Sequence, residues 1–239
     1  MSETIQKNDF IEIEFTGKSD GKIFDTTNPE EAEEIGIKEP KNIKPLIISV
    51  GNQMLLQGLD EFLEGKELNK EYTTDLQPEK AFGKRDPRLI KTYSLPAFKK
   101  NNIDPYPGMV LQLDNTIARV LSVSGGRVMV DFNNPLAGKE VSYNFKMKKK
   151  ITDDKEKINA LQDFFFKQKF EFEIVKETGD NQKEDKKQIR QERGDSNSQN
   201  SNSKKIIFKN PNAKPFIQIF GERFKEITCF EFEVEEKPN

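Results

Sequence analysis

Histidine is missing from all 239 residues of this chain. That absence removes the commonest general base, the commonest neutral metal ligand and every Ser-His or Cys-His nucleophile in one step. Cysteine is nearly missing too: Cys229 stands alone, so no internal disulfide can form. No apolar run reaches the roughly 20 residues that cross a bilayer, so no membrane contact is expected. The polar N-terminus MSETIQKNDF lacks the apolar stretch of a secretory signal, which makes the cytoplasm the expected location. A net charge of -2 argues against a nucleic-acid footprint over the whole chain and leaves room for local basic patches such as Lys146 to Lys150. If this is an enzyme, its chemistry works without these groups, and no cofactor or metal is expected.

What the chain does have is equal shares of charged and hydrophobic residues, 33% each, which suits modest cores and well-solvated surfaces. Its length suggests two or three small modules. The organising stretch is GNQMLLQGLDEFLEG, Gly51 to Gly65. Leu55, Leu56, Leu59, Phe62 and Leu63 recur at helical spacing with Gln57, Asp60, Glu61 and Glu64 opposite, which predicts one short amphipathic helix. Candidate strands precede it (Phe10 to Phe15, Ile23 to Thr27, Leu46 to Val50) and follow it (Tyr72 to Leu76, Val141 to Met147). The expected fold is therefore α+β, an antiparallel half-barrel wrapped on one helix that floors a pocket.

Taken in order, Ile11, Ile13 and Phe15 alternate with Glu12 and Glu14 as a strand with one buried face, and Ser19-Asp20-Gly21 turns it back. The acidic segment Glu30 to Pro40 reads either as a short helix over the sheet edge or as a solvated connection. After Leu76 the pattern of the first sheet stops. Met109 to Leu113, Thr116 to Val123 and Arg127 to Phe132, joined by tight turns, read as a small all-β meander, and Val141 to Met147 resumes the first pattern. Residues 84–138 are thus an expected insertion within a domain of residues 1–83 and 139–151. From residue 152 to 239 a third, α+β domain is expected: a helix begun by Asp153 and Asp154, a strand with Phe170, Phe172 and Ile174, a further strand at Ile206 to Phe208, a helix at Phe216 to Phe224, and a final strand with Phe230, Phe232 and Val234. Between its first two strands, residues 177–203 are rich in Lys, Glu, Gln, Ser and Asn and are expected to be disordered.

The run GxxxLLxGLxxxLxG followed by Ala81-Phe82-Gly83, with EKAFGKRDP, PGMVLQLD, SGGRVMVDFN and NPLAGKEV, resembles the FKBP-type peptidyl-prolyl cis/trans isomerases, and within them the archaeal long members related to SlyD. By periodicity alone the aromatic and leucine stripe is an ordinary core. The resemblance instead implies a proline pocket lined by Phe15, Phe24 with Asp25, Leu46, Leu55 with Leu56, Leu59, Phe82 and Tyr143. Three positions depart from the family pattern. Leu59 stands where short human-type members carry tryptophan, Phe82 where a tyrosine is frequent, and Asn134 where histidine precedes Pro-Leu-Ala-Gly.

Such a pocket needs neither base nor metal. Rotation about an X-Pro amide faces a barrier of about 18 to 20 kcal/mol from lost resonance. The planar amide is the more polar species, so an apolar wall favours the twisted one, and no proton leaves. In SlyD-like members the insert binds unfolded chains, which implies an apolar client surface here from Tyr93, Leu95, Phe98, Ile103 and Tyr106. The expected partners are therefore unfolded or partly folded polypeptides and proline-containing peptides, with the C-terminal domain a candidate for self-association. The metal-binding tail of some SlyD proteins is absent. Two other readings stay open: a holdase whose pocket is vestigial, and an RNA- or ribosome-associated factor using Lys146 to Lys150 and the insert.

Overall fold

The computed structural model describes residues 4–113, 115–176 and 204–235. The first elements are β1 (Phe10–Ser19), β2 (Lys22–Thr26), the short helix α1 (Pro29–Glu34), β3 (Leu46–Ser49), α2 (Gln57–Leu63) and β4 (Glu71–Leu76). A second group follows: β5 (Ile90–Ser94), α3 (Leu95–Lys100), β6 (Val110–Leu113), β7 (Thr116–Ser124) and β8 (Arg127–Asp131). The chain then returns through β9 (Val141–Lys150) and continues into α4 (Asp154–Leu161), β10 (Phe172–Lys176), β11 (Lys204–Phe208), α5 (Lys214–Thr228) and β12 (Glu231–Val234). The segment 177–203, expected to be disordered, lies outside the described residues.

The first sheet has the order β2-β1-β9-β4, with β3 beside the N-terminal half of β1, all antiparallel. Strand alternation decides its two faces. Ile11, Ile13 and Phe15 of β1 and Tyr143, Phe145 and Met147 of β9 are buried with Leu59 and Leu63 of α2. On the opposite face Glu12 and Glu14 meet lysines of β9, with Lys149–Glu12 at 3.4 Å and Lys148–Glu14 at 3.1 Å. Lys146 faces Glu71 at 3.9 Å and Lys150 pairs with Asp9 at 2.9 Å. The basic run is thus a ladder of ion pairs along the outer face of the sheet.

The central helix is shorter than its apolar spacing suggests, covering Gln57–Leu63 instead of Gly51 to Gly65. Asp60 is the reason. Placed on the polar side by its spacing, it is 5% exposed, and its carboxylate accepts the backbone N–H groups of Gly51 and Gln53, both at 2.8 Å. Those bonds hold residues 51–53 in a turn, with Gln53 at φ 57, so Leu55 and Leu56 precede the helix. Gly58 then lets α2 approach the end of β4, since a Cβ there would lie 2.8 Å from Leu76.

The second sheet, β5-β8-β7-β6, interrupts the chain between two hydrogen-bonded neighbours, β4 and β9, and is therefore topologically an insertion. It was expected to be all-β with three strands; it has four strands and a helix. α3 forms because Leu95-Pro96 opens it with proline in the first turn and it buries Phe98 on Ala118, Val120, Val128 and Val130. The stem of the insertion is polar. Gly138 N–H donates to Gly83 O at 2.8 Å, Arg85 pairs with Asp131, and the Asn133 side chain donates to Asp131 at 2.7 Å while accepting from Asp86 N–H at 2.9 Å.

Asp153 caps α4 through Glu156 N–H at 2.9 Å, and α4 runs on as a π-helical turn, Gln162–Phe166. β10 and β11 pair antiparallel, and β11 and β12 pair parallel with α5 as the crossover. Phe166 stacks on Phe224 of α5 with centroids 5.1 Å apart. These elements share one continuous apolar cluster with the first sheet. Phe10 on the outer face of β1 is 3% exposed, with the Lys157 ammonium of α4 5.9 Å from its ring. No helix among the described residues is long and apolar enough to cross a membrane.

Candidate active site

The site forms where β1, β2 and β9 run side by side at Gly17. This residue pairs with Asp25 on one side and Tyr143 on the other. It has no side chain, and the rings of Phe24 and Tyr143 occupy the vacant space: a Cβ on Gly17 would lie 2.8 Å from Phe24 and 2.9 Å from Tyr143. One residue decides whether the two rings can meet.

They do meet, edge to face, with centroids 5.8 Å apart. Phe15 lies 5.8 Å from Tyr143 on the other side, and Phe82 lies 5.6 Å from Phe24, also edge to face. Phe82 reaches this position because β4 ends at Leu76 and a short turn through Pro78–Lys80 carries the chain back, closed by Gly83 N–H on Pro78 O at 2.7 Å. Leu55 and Leu56 are half-buried against the main core of the molecule, just before α2.

Asp25 joins these rings through an irregularity. The β1–β2 register runs Thr16 to Thr26 and Gly17 to Asp25, then slips to Lys18 opposite Ile23. Phe24 is the extra residue of a β-bulge, which breaks the alternation that would otherwise send Phe24 and Asp25 to opposite faces. Asp25 remains open to solvent on one side. Partial burial raises its carboxyl pKa, opposed by the backbone N–H of Thr26. The Tyr143 phenol is pushed well above its ordinary value, first by burial and second by the charge of Asp25. Tyr143 therefore stays neutral, and it carries the one hydroxyl in the ring cluster. The arrangement is a wall of neutral rings with one partly solvated carboxyl at its edge. It can hold an apolar ring and impose a field, and it has no group suited to proton transfer at neutral pH. Among the described residues no cluster of carboxylates and cysteine could hold a metal ion.

The structure therefore brings together Phe15, Phe24, Asp25, Phe82 and Tyr143, while Leu55 and Leu56 pack on the main core. Two further expected members differ in burial. Leu59 is 1% exposed, deep in the core beneath the helix, where it supports the site without reaching its surface. Leu46 is 41% exposed on an edge strand, paired with the inward-facing Ile13, and borders a cavity of about 740 Å³ with Pro45, Ile47 and Phe164. Sequence reasoning missed Gly17. Its signal was a glycine interrupting an otherwise β-favouring strand, a mark of close approach.

The client surface expected on the insert needs a larger correction. Phe98 is 4% exposed and is the centre of that small core. Tyr93, Leu95 and Ile103 pack half-buried against it, and Tyr93 meets Phe98 edge to face at 6.1 Å. With five buried residues available, a small sheet cannot spare its aromatics for the surface. Only Tyr106 stands out, at 62% exposure. The other large apolar side chains of the insertion that face solvent are Leu89, Val110, Ile117 and Met129. The register puts Val110 and Ile117 on one face as diagonal neighbours of β6 and β7, and places Met129 opposite Ser122 on that same face.

Comparison with known proteins adds an independent finding. Residues 1–99 match the model for FKBP-type peptidyl-prolyl cis-trans isomerase, and residues 95–136 match a model described as FKBP26, IF domain. A short-type peptidyl-prolyl cis-trans isomerase of Methanocaldococcus jannaschii is 34% identical over 149 residues, which is 62% of this chain and 95% of that protein. An FKBP-type 16 kDa peptidyl-prolyl cis-trans isomerase of Escherichia coli is 30% identical over 153 residues, 62% of this chain and 94% of that one. The isomerase SlyD of Aeromonas hydrophila is 27% identical over 141 residues, 58% of this chain and 60% of that one.

Proposed function

This chain belongs to the family of FKBP-type peptidyl-prolyl cis-trans isomerases, and from that membership we infer that it accelerates X-Pro isomerisation at the ring cluster over Gly17. The catalytic residues in this reading are Phe15, Phe24, Asp25, Leu55, Leu56, Phe82 and Tyr143. The observation that carries it is the meeting of four aromatic rings and one carboxyl on a glycine that a Cβ would close off.

The chemistry follows from the wall. A proline ring docks among Phe15, Phe24, Phe82 and Tyr143, which exclude water from the amide. Charge separation in the planar amide is then less well solvated than in water, while the twisted amide, with less of it, loses little. Asp25 stands at the rim and sets a field across the rotating bond. Phe82 carries no hydroxyl, so the hydrogen-bond donor for a swinging carbonyl is Tyr143, kept protonated by burial and by Asp25. No covalent step occurs. Uncatalysed isomerisation takes tens to hundreds of seconds, so even a modest fall in the barrier matters to a folding chain.

The substrates in this reading are proline-containing polypeptides, and residues 84–138 form a module that holds unfolded ones. Its contact surface is the outer face with Val110, Ile117 and Met129, together with Tyr106. The test is a prolyl-tetrapeptide isomerisation assay on the full chain. Phe82→Ala and Tyr143→Ala, each checked for unchanged circular dichroism, should lower kcat/KM by about ten- to a hundredfold, the scale of a lost transition-state contact. Full turnover in both variants would overturn the assignment.

A further inference from the structure

We propose that Arg223, far along the chain on α5, is a positioning residue for the isomerase pocket, and that the C-terminal elements thereby set its affinity for proline. The proposal rests on the assignment of Leu55 and Leu56 to the pocket wall. Both residues hang on the turn that precedes α2. One peptide unit of that turn, between Asn52 and Gln53, is gripped at both ends. Its N–H, on Gln53, donates to the Asp60 carboxylate at 2.8 Å, and its carbonyl, on Asn52, accepts from the Arg223 guanidinium at 3.2 Å.

The grip matters because of what it opposes. Gln53 sits at φ 57, a left-handed conformation that costs a residue with a Cβ roughly 1–2 kcal/mol. Flipping the 52–53 peptide would relieve that cost, and it would break both bonds at once. The Asn52 side chain is fixed independently, donating to Asn8 Oδ1 at 3.0 Å and Ser49 Oγ at 2.9 Å, so the turn is anchored on its β3 side. On the α2 side nothing but Asp60 and Arg223 holds that peptide among the described residues. Leu55 and Leu56 follow within three residues, past the buried Met54, whose sulfur accepts the Ser49 N–H at 3.2 Å. The Leu56 carbonyl accepts from Leu59 and Asp60 N–H of α2, so a shift of the peptide reaches Leu55 first. Arg223 also pairs with Glu226 at 3.0 Å, one turn along α5, which steadies the guanidinium without touching the turn. Loosening a wall that binds the proline ring equally in its ground and transition states raises KM and leaves kcat alone.

The experiment compares the full chain with Arg223→Ala, following amide hydrogen exchange at residues 53–56 and tetrapeptide kinetics. Exchange there should quicken about tenfold and KM should rise by a similar factor, the scale of one charge-assisted hydrogen bond, while kcat holds. Gln53→Gly removes the Cβ penalty at the left-handed position, and added to Arg223→Ala it should bring KM back towards the parent value. Unchanged exchange, unchanged KM or absence of that rescue would each overturn the proposal. Phe82→Ala in the same assay separates the two readings: if it too leaves turnover intact, the pocket assignment has failed and the role of Arg223 falls with it.

Discussion

The two additions to the isomerase sheet are attached in opposite ways. The insertion has its own core of five buried residues, mostly valine and alanine around Phe98, and joins the rest through the polar stem of Arg85, Asp86, Asp131 and Asn133. The C-terminal elements have no separate core; their phenylalanines run into the cluster that contains Phe10, Ile11 and Leu59. The first is a body on a stem and the second is part of the wall. A stem of hydrogen bonds lets a small unit open and close alone, whereas a shared apolar core couples the stability of both sides.

The sharpest way to break this comparison is to remove each addition. A chain ending after Ile151 uncovers Phe10 and should lose cooperative folding altogether, read as a missing thermal transition. A chain in which a short loop replaces residues 84–138 should keep its fold and its tetrapeptide turnover, because Gly83 and Gly138 already meet. It should lose aggregation suppression, and most of its advantage on a refolding protein, since a held client presents its prolines at high effective concentration. If the truncated chain folds and the loop chain does not, the two attachments have been read the wrong way round.

A smaller change tests independence. Phe98→Ala removes the largest side chain of the inserted core and should cost about 3–5 kcal/mol there. Hydrogen exchange should rise through β5 to β8 while the first sheet and tetrapeptide turnover hold. Spread of the loss into β1 and β9 would mean that the stem transmits stability. Gly17→Ala should do the reverse, forcing Phe24 and Tyr143 apart at a cost of about 1–3 kcal/mol, with most of the activity gone and the insertion undisturbed.

The smallest effect is electrostatic. Burial raises the Asp25 pKa in the folded state, so the native protein holds this proton longer than the unfolded chain does. Its contribution to stability therefore falls as pH rises from the ordinary value of 3.8 through the raised one, and is flat above that. Urea midpoints of Asp25→Asn and the parent between pH 3 and 7 should diverge in that window, with the variant relatively more stable at the upper end. Parallel curves would place the carboxyl fully in water.

How much of this the sequence carried differs by residue. Strand alternation located β1, β9 and the terminal strand, and the apolar spacing located α2, because these patterns record burial on one face. The motifs around Phe24-Asp25 and Phe82 named groups that the structure brings together with Tyr143. Most of the aromatic and apolar residues expected on the surface of the insert were misplaced for one reason: hydropathy tells which residues avoid water and not which core will take them. Asp60 was put on the wet side because a helical wheel does not see two backbone N–H groups arriving from a turn.

The chain by itself therefore determined the class of chemistry, through its lack of histidine and the order of its motifs, and it determined the elements, through local periodicity. Only the tertiary structure decided that Gly17 is the opening on which two rings close, that a bulge turns Asp25 towards them, and that Arg223 reaches a peptide 171 residues away. Each of these depends on register and approach between distant segments, and no local pattern of residues encodes the distance between two strands or the end of a helix.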